Sequence, residues 1–156
     1  MIKIQIEKLA PGADMPFDLL LIADEAMQAI GKYLYASDVY VGKLEGRDEV
    51  IAVFVIQPLS SSEIEIKNIA VSIELQDKGI GSYLIEKIKE IARAGGYREL
   101  WVGTPDRARR QINFYQKNGF VISGVKKDFF LHNYPEPIFE DGVMLKDMVM
   151  LSVGTV

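Results

Sequence analysis

Ile2, Ile4 and Ile6 alternate with Lys3, Gln5 and Glu7 at the start of the chain. A period of two puts the isoleucines on one face of a strand, so the pattern predicts a half-buried strand over residues 2–9. The period then changes. Leu19, Leu20, Ala23, Met27 and Ile30 recur at helical spacing, and Pro16 precedes them. Proline suits a first helical turn, where its missing N–H is not needed, and a helix is predicted from residue 16 to about residue 30. Two strand-like runs, residues 36–44 and 49–59, flank Glu45-Gly46-Arg47-Asp48, which reads as a hairpin turn.

Glu63 to Val71 is the next strand. After it, Ile80, Leu84, Ile88 and Ile91 share one helical face, with Lys87, Glu90 and Arg93 mostly away from it, and Gly95-Gly96 stops the run. The helix itself is placed at residues 83–93. A short buried strand at Leu100-Trp101-Val102-Gly103, a helix over 107–117 and two strands over 120–130 and 143–153 complete the series. A meander leading into strand–helix–strand–helix–strand is an α/β pattern around one mixed sheet. At 156 residues the chain is read as one domain, residues 1–156, able to bury roughly 70% of its unfolded surface.

The chemistry concentrates at Gln76-Asp77-Lys78-Gly79-Ile80-Gly81-Ser82, between the fourth strand and the following helix. A glycine-rich turn there leaves backbone N–H groups unpaired at a helix start, where the macrodipole is positive, and such a corner receives phosphate or pyrophosphate. About thirty residues on comes Asn113-Phe114-Tyr115-Gln116-Lys117-Asn118-Gly119-Phe120, a helix end, a glycine stop and a new strand. Gln-x-x-Gly-x-Gly followed by Phe-Tyr-x-Lys-x-Gly-Phe is far more specific than either half. The pair resembles the GNAT superfamily of acetyl-CoA-dependent N-acetyltransferases, over residues 39–125.

The resemblance implies a GNAT-like mixed, mostly antiparallel central sheet flanked by helices, with acetyl-CoA as cosubstrate and no metal. It implies that the backbone of Ile69, Ala70 and Val71 pairs with the pantetheine arm. Gln76, Lys78, Gly79, Ile80, Gly81 and Ser82 would form the pyrophosphate corner. Tyr115 would protonate the departing coenzyme thiolate, a phenol supplying a proton as sulfur gains charge. Some relatives carry a catalytic glutamate at the position of Glu65, making it the candidate general base, and Glu63 shares its strand face. Many relatives have an asparagine and a small alanine before the motif tyrosine, where this chain has Arg107-Ala108-Arg109-Arg110-Gln111. Asp106 and Asn113 are the possible substitutes, and Asn113 is taken as a coenzyme contact. Lys117 suits the C-terminal cap of its helix, or a coenzyme phosphate.

The acceptor would be a primary amine, on a small molecule or a peptide N-terminus, attacking directly. The segments that would line its site, residues 15–37 and 129–142, carry Asp24, Glu25, Tyr33, Tyr35, Tyr134, Glu136 and Phe139, which suit an ammonium. His132, the only histidine, falls in the late loop and could fold over the acceptor.

Composition narrows the alternatives. The chain has no cysteine, which excludes disulfides, thiolate nucleophiles and a cysteine acyl-enzyme. A reducing cytoplasm is the natural compartment. Net charge is −4, against a broad nucleic-acid footprint and mildly favourable to a cationic acceptor. No apolar run approaches the roughly 20 residues of a membrane span, so no membrane partner is expected. A homodimer is allowed if the strand over 143–153 presents an edge. Two other classes remain: a non-catalytic acyl-CoA sensor, and a Rossmann-type nucleotide binder, disfavoured because Leu84 stands where the third glycine belongs.

Overall fold

The opening alternation builds β1, Ile4–Lys8. The computed structural model of the chain describes residues 3–24 and 26–156, so Ile2 and Glu25 of the readings above lie outside the described residues. The chain divides into two compact units: one runs to Pro58 and includes Ile66–Ile88, the other is Leu59–Glu65 with Lys89–Val156.

In the first unit, β1 is followed by α1 (Phe17–Ala23), α2 (Met27–Tyr33), β2 (Asp38–Leu44) and β3 (Val50–Pro58). Most of β4 (Glu63–Val71) and the first half of α3 (Ile80–Ala94) also belong to it. Neighbouring strands run in the order β1-β2-β3-β4. β1 lies antiparallel to β2 with Ile4 opposite Leu44, and β2 antiparallel to β3 with Tyr40 opposite Phe54, whose rings stack at 4.9 Å. The hairpin expected at Glu45–Asp48 is therefore present, with Gly46 at φ 79°. Ile51 to Ile56 are all buried, as a strand covered on both faces requires. On one face, Leu19, Leu20, Ile30, Tyr33 and Leu34 pack over Val39, Val41, Val53, Val55 and Ala70.

The single helix read from residue 16 to about 30 is two helices. Asp24 and Ala26 are extended, at φ −134°, ψ 121° and φ −121°, ψ 120°. The Asp24 carboxylate accepts from the Ala26 N–H at 3.4 Å and from the Tyr33 hydroxyl at 3.3 Å, so a short polar side chain competes with helix continuation. The break aims Leu19, Leu20 and Ile30 into the core and leaves Ala23 and Met27 exposed, against the predicted stripe.

The second unit holds the start of β4, the end of α3, β5 (Glu99–Pro105), α4 (Arg109–Lys117), β6 (Val121–Lys126), α5 (Phe129–Asn133), β7 (Phe139–Glu140), β8 (Val143–Met144) and β9 (Met148–Gly154). β9 is antiparallel to β5 on one side, with Leu100 opposite Val153, and to β6 on the other, with Val125 opposite Val149. The strand expected over 120–130 stops at Lys126. Asp128 turns the chain at φ 55° into α5, and its N–H donates to the Asp147 carboxylate at 2.8 Å. The strand expected over 143–153 is likewise broken into β8 and β9. Since β9 has a partner on each side, it presents no edge for a dimer, and the outer position in this unit belongs to β6, all six residues of which are exposed. Among the described residues, no helix is long and apolar enough to cross a membrane.

Candidate active site

β4 ends at Val71 and a short 3-10 turn, Ile73–Leu75, leads to Gln76. The Gln76 side-chain amide donates back to the Val71 carbonyl at 3.1 Å. Asp77 and Gly79 then both take left-handed backbone, at φ 62° and φ 84°, and α3 begins at Ile80. The Tyr83 N–H reaches the Gly79 carbonyl at 3.1 Å as the helix starts, so the N–H groups of Ile80, Gly81 and Ser82 precede that bond, at the positive end of a 15-residue helix. A side chain at Gly79 would meet no atom within 4 Å, so the space before this backbone is open and the glycine answers to its φ alone.

Lys78 and Gly79 also border a cleft of roughly 650 Å³ that reaches Lys3, Gln5, Glu45 and Tyr83, where the Lys3 ammonium stands 3.9 Å from the Glu45 carboxylate. Of the other residues assigned to the coenzyme, Ile69, Val71, Gly81 and Ser82 are half-buried, while Ala70 and Ile80 are buried. The Ile80 side chain belongs to the core, so this residue can offer only its backbone.

The second unit holds Tyr115, Glu65 and Asn113. Tyr115 is buried on α4, edge-on to Phe120 at 5.4 Å and to Phe114 at 5.2 Å. Burial pushes its phenol well above the ordinary value, so the proton is held across the neutral range. Asn113 is exposed on the same helix. Glu65 is buried on β4, whereas Glu63 is occupied structurally, accepting from the Trp101 indole N–H at 2.9 Å. Two positions apart on one strand, the glutamates differ in burial: Glu63 is half-buried and Glu65 is buried.

The bonds described for the last turn of α4 come from Asn118, whose side chain donates to the Phe114 carbonyl at 2.8 Å, and from Lys89, which reaches the Asn118 carbonyl at 3.0 Å. They take the cap expected of Lys117, which is exposed. Arg107, Arg109 and Arg110 are exposed at the start of α4, and His132 is exposed on α5 rather than in a loop. Tyr35 is open to solvent. Among the described residues, no group of three or more histidine or carboxylate side chains is placed to hold a metal.

One buried polar array escaped the sequence. Asn68 on β4 donates from Nδ2 to the Leu20 carbonyl at 3.0 Å and to the Tyr33 hydroxyl at 3.1 Å, and Tyr33 donates to Asp24 at 3.3 Å. Burial raises the Tyr33 phenol; the Asn68 bond opposes that and the Asp24 carboxylate reinforces it. The available signal was phase: Ile64, Ile66, Asn68 and Ala70 share one face of β4, and an asparagine stands where that face is otherwise apolar.

The chain matches the model of the acetyltransferase (GNAT) domain over residues 35–122. It is 37% identical over 151 residues to the uncharacterised N-acetyltransferase YvbK of Bacillus subtilis (strain 168), covering 97% of this chain and 96% of that protein. A GNAT family acetyltransferase from Elizabethkingia anophelis, solved with acetyl-CoA bound, superposes with a TM-score of 0.91 at 38% identity, covering 97% of both chains. A Bacillus subtilis acetyltransferase solved in complex with CoA gives a TM-score of 0.85 at 36% identity, covering 97% of this chain and 99% of the other. The fold shared with them is mixed α/β, a mostly antiparallel sheet flanked by helices. With a domain model spanning more than half its length and relatives above one-third identity across nearly all of it, the chain belongs to the GNAT family of acetyltransferases.

Proposed function

We propose that this chain transfers the acetyl group of acetyl-CoA to a primary amine by direct attack of the amine on the thioester carbonyl. The observation that carries the proposal is the corner between β4 and α3, where Asp77 and Gly79 both adopt left-handed backbone immediately before the first-turn N–H groups of Ile80, Gly81 and Ser82. That geometry suits a pyrophosphate, which it would meet with backbone donors and a helix N-terminus. Lys78 adds a cation, and Ile69, Ala70 and Val71 offer strand backbone to the pantetheine amides. Family membership, and relatives solved with acetyl-CoA or CoA, support the same assignment.

In the proposed reaction Glu65 takes a proton from the ammonium, directly or through water. The amine nitrogen bonds to the acetyl carbon, backbone N–H groups of Ile69–Val71 polarise the carbonyl, and the carbon–sulfur bond breaks. Tyr115 gives its proton to the leaving thiolate. A buried phenol that stays protonated is suited to that part. Asn113 is the substitute for the asparagine that many relatives carry near the coenzyme. The acceptor is a small molecule or a peptide N-terminus, and a cytoplasmic single-domain protein fits the composition.

The test is calorimetric titration with acetyl-CoA, followed by addition of a panel of amines with detection of released thiol. Saturable binding with amine-dependent release is expected. Binding with no release from any amine would favour an acyl-CoA sensor, and absence of binding would overturn the assignment of the glycine corner.

A further inference from the structure

The strand order ends on β1 in the first unit and on β6 in the second, and the two edges are built differently. β1 carries Glu7 and Lys8, with the Lys43 ammonium 2.7 Å from the Glu7 carboxylate and the Lys8 ammonium 3.3 Å from that of Asp38. Charge of this kind keeps a sheet edge from pairing with another chain. β6 reads Val-Ile-Ser-Gly-Val-Lys, and Val121, Ile122 and Val125 are 61%, 53% and 59% exposed. Its one charged residue, Lys126, closes the strand, and the ammonium stands 5.7 Å from the centroid of the Phe129 ring. This edge offers backbone and apolar side chains together.

On its inner side β6 pairs with β9, with Ile122 opposite Leu151 and Gly124 opposite Met150, so Ser123 is an extra residue, a bulge. The Ser123 hydroxyl donates to the Val121 carbonyl at 3.1 Å and meets the Ser152 hydroxyl at 2.7 Å, which ties the bulge back to β9. Val121, Ile122, Gly124, Val125 and Lys126 are then successive rungs with Gly124 in the middle. Alternate rungs share a face, so Ile122 and Val125 lie on one face and Val121 on the other. A second copy laid antiparallel about a two-fold at Gly124 meets β6 rung for rung. Ile122 faces Val125 and Val121 faces Lys126, each twice, as an isologous pair requires. The two lysines then stand at opposite ends, about 14 Å apart, so pairing brings no like charges together. A side chain at Gly124 would meet no atom within 4 Å, so the space at that axis is open.

We propose that β6 is a self-association edge, through which two copies of this chain pair antiparallel over residues 121–126 about Gly124. A foreign strand would gain the same backbone bonds. Only a second copy supplies by symmetry an apolar partner for both Ile122 and Val125 while keeping the lysines apart. Six residues make an edge about 20 Å long, small for an interface, so the pair is transient and half-formed on the order of 10 µM. None of this depends on the transferase function proposed above.

The full chain, without added ligand, is followed by sedimentation velocity from about 1 to 500 µM, a span that brackets the expected midpoint. The expected result is a shift from monomer to dimer as concentration rises. Amide hydrogen exchange at residues 121–126 of the natural chain should slow over the same range, which locates the contact without any substitution. Ile122→Lys and Val125→Glu, both at exposed positions, are each expected to weaken association about tenfold. Mixing the two variants should restore it, because the mixed pair sets an ammonium against a carboxylate on one rung and keeps an apolar pair on the other. Far-UV circular dichroism of each variant shows whether the fold is kept. Monomer at every concentration overturns the proposal, as does exchange at residues 121–126 that ignores concentration. Assembly beyond a dimer, or folded variants that associate like the natural chain, overturns it too.

Discussion

The side-chain amide of Gln76 donates to the carbonyl of Val71 at 3.1 Å, tying the end of β4 to the turn that precedes α3. The residue that the motif marks as a coenzyme contact therefore holds the corner in shape through its side chain. One neutral hydrogen bond of this kind nets about 1 kcal/mol, or about fivefold in an equilibrium. Gln76→Ala is expected to raise the dissociation constant for acetyl-CoA by about that factor, measured by calorimetry. An unchanged constant would mean that the turn keeps its shape without the bond.

Gly79 sits at φ 84° with open space where a side chain would project, so strain and not collision governs substitution. Gly79→Ala is expected to lower the unfolding free energy by about 1–2 kcal/mol, the penalty of left-handed backbone for a residue with a Cβ. It should weaken acetyl-CoA binding as well, because any relaxation of φ re-aims the N–H groups that follow. Urea titration and calorimetry on the same variant read the two effects; loss of neither would remove Gly79 from the corner.

Tyr115→Phe retains the ring between Phe114 and Phe120 and deletes the proton donor. Turnover is expected to fall by about a hundredfold with acetyl-CoA affinity nearly intact. Steady-state kinetics with a responsive amine decides it, and unchanged turnover would assign the thiolate's proton to another source.

Tyr115 and Tyr33 also set an alkaline limit on stability. Burial holds both phenols above the ordinary value near 10, so above that pH the unfolded chain gives up protons that the folded chain keeps. Their contribution is fully present below about pH 10 and declines as pH rises toward the folded values. Each tyrosine adds about 1.4 kcal/mol of loss per pH unit in that window. Urea midpoints followed by Trp101 fluorescence from about pH 9 to 11 should fall more steeply for the natural chain than for Tyr115→Phe. Parallel slopes would mean that the phenol titrates normally.

Glu63 accepts the Trp101 indole N–H at 2.9 Å, a bond to a charged group at a half-buried site. Glu63→Ala is expected to destabilise the protein by about 1 kcal/mol and to change the tryptophan emission, with acetyl-CoA affinity unaltered. Glu65→Gln should do the reverse, lowering turnover while leaving emission and stability close to natural. A turnover loss confined to Glu63→Ala would exchange the roles of the two residues.

The pattern of apolar positions was enough for the strands that carry a strict period, and for α3, whose Ile80, Leu84 and Ile88 are all buried. It failed where a local polar contact overrode the period. The helix read through Asp24 breaks because that carboxylate binds the Ala26 N–H and the Tyr33 hydroxyl. The strand read through Asp128 ends because its N–H is claimed by Asp147, nineteen residues later in the sequence. Tyr33, nine residues from Asp24, and Asp147, nineteen from Asp128, both lie outside a window of immediate neighbours.

The sequence by itself determined the glycine turn before α3 and the family, because left-handed backbone at a position such as Gly79 leaves few residue choices and so prints a readable spacing. Only the tertiary structure decided which of two adjacent glutamates is already committed to Trp101. It also decided that β9 lies between two strands, and that Asn68, Tyr33 and Asp24 meet. The hydrogen bonds among them join residues 9, 35 and 38 positions apart, and sequence spacing carries no record of such distances.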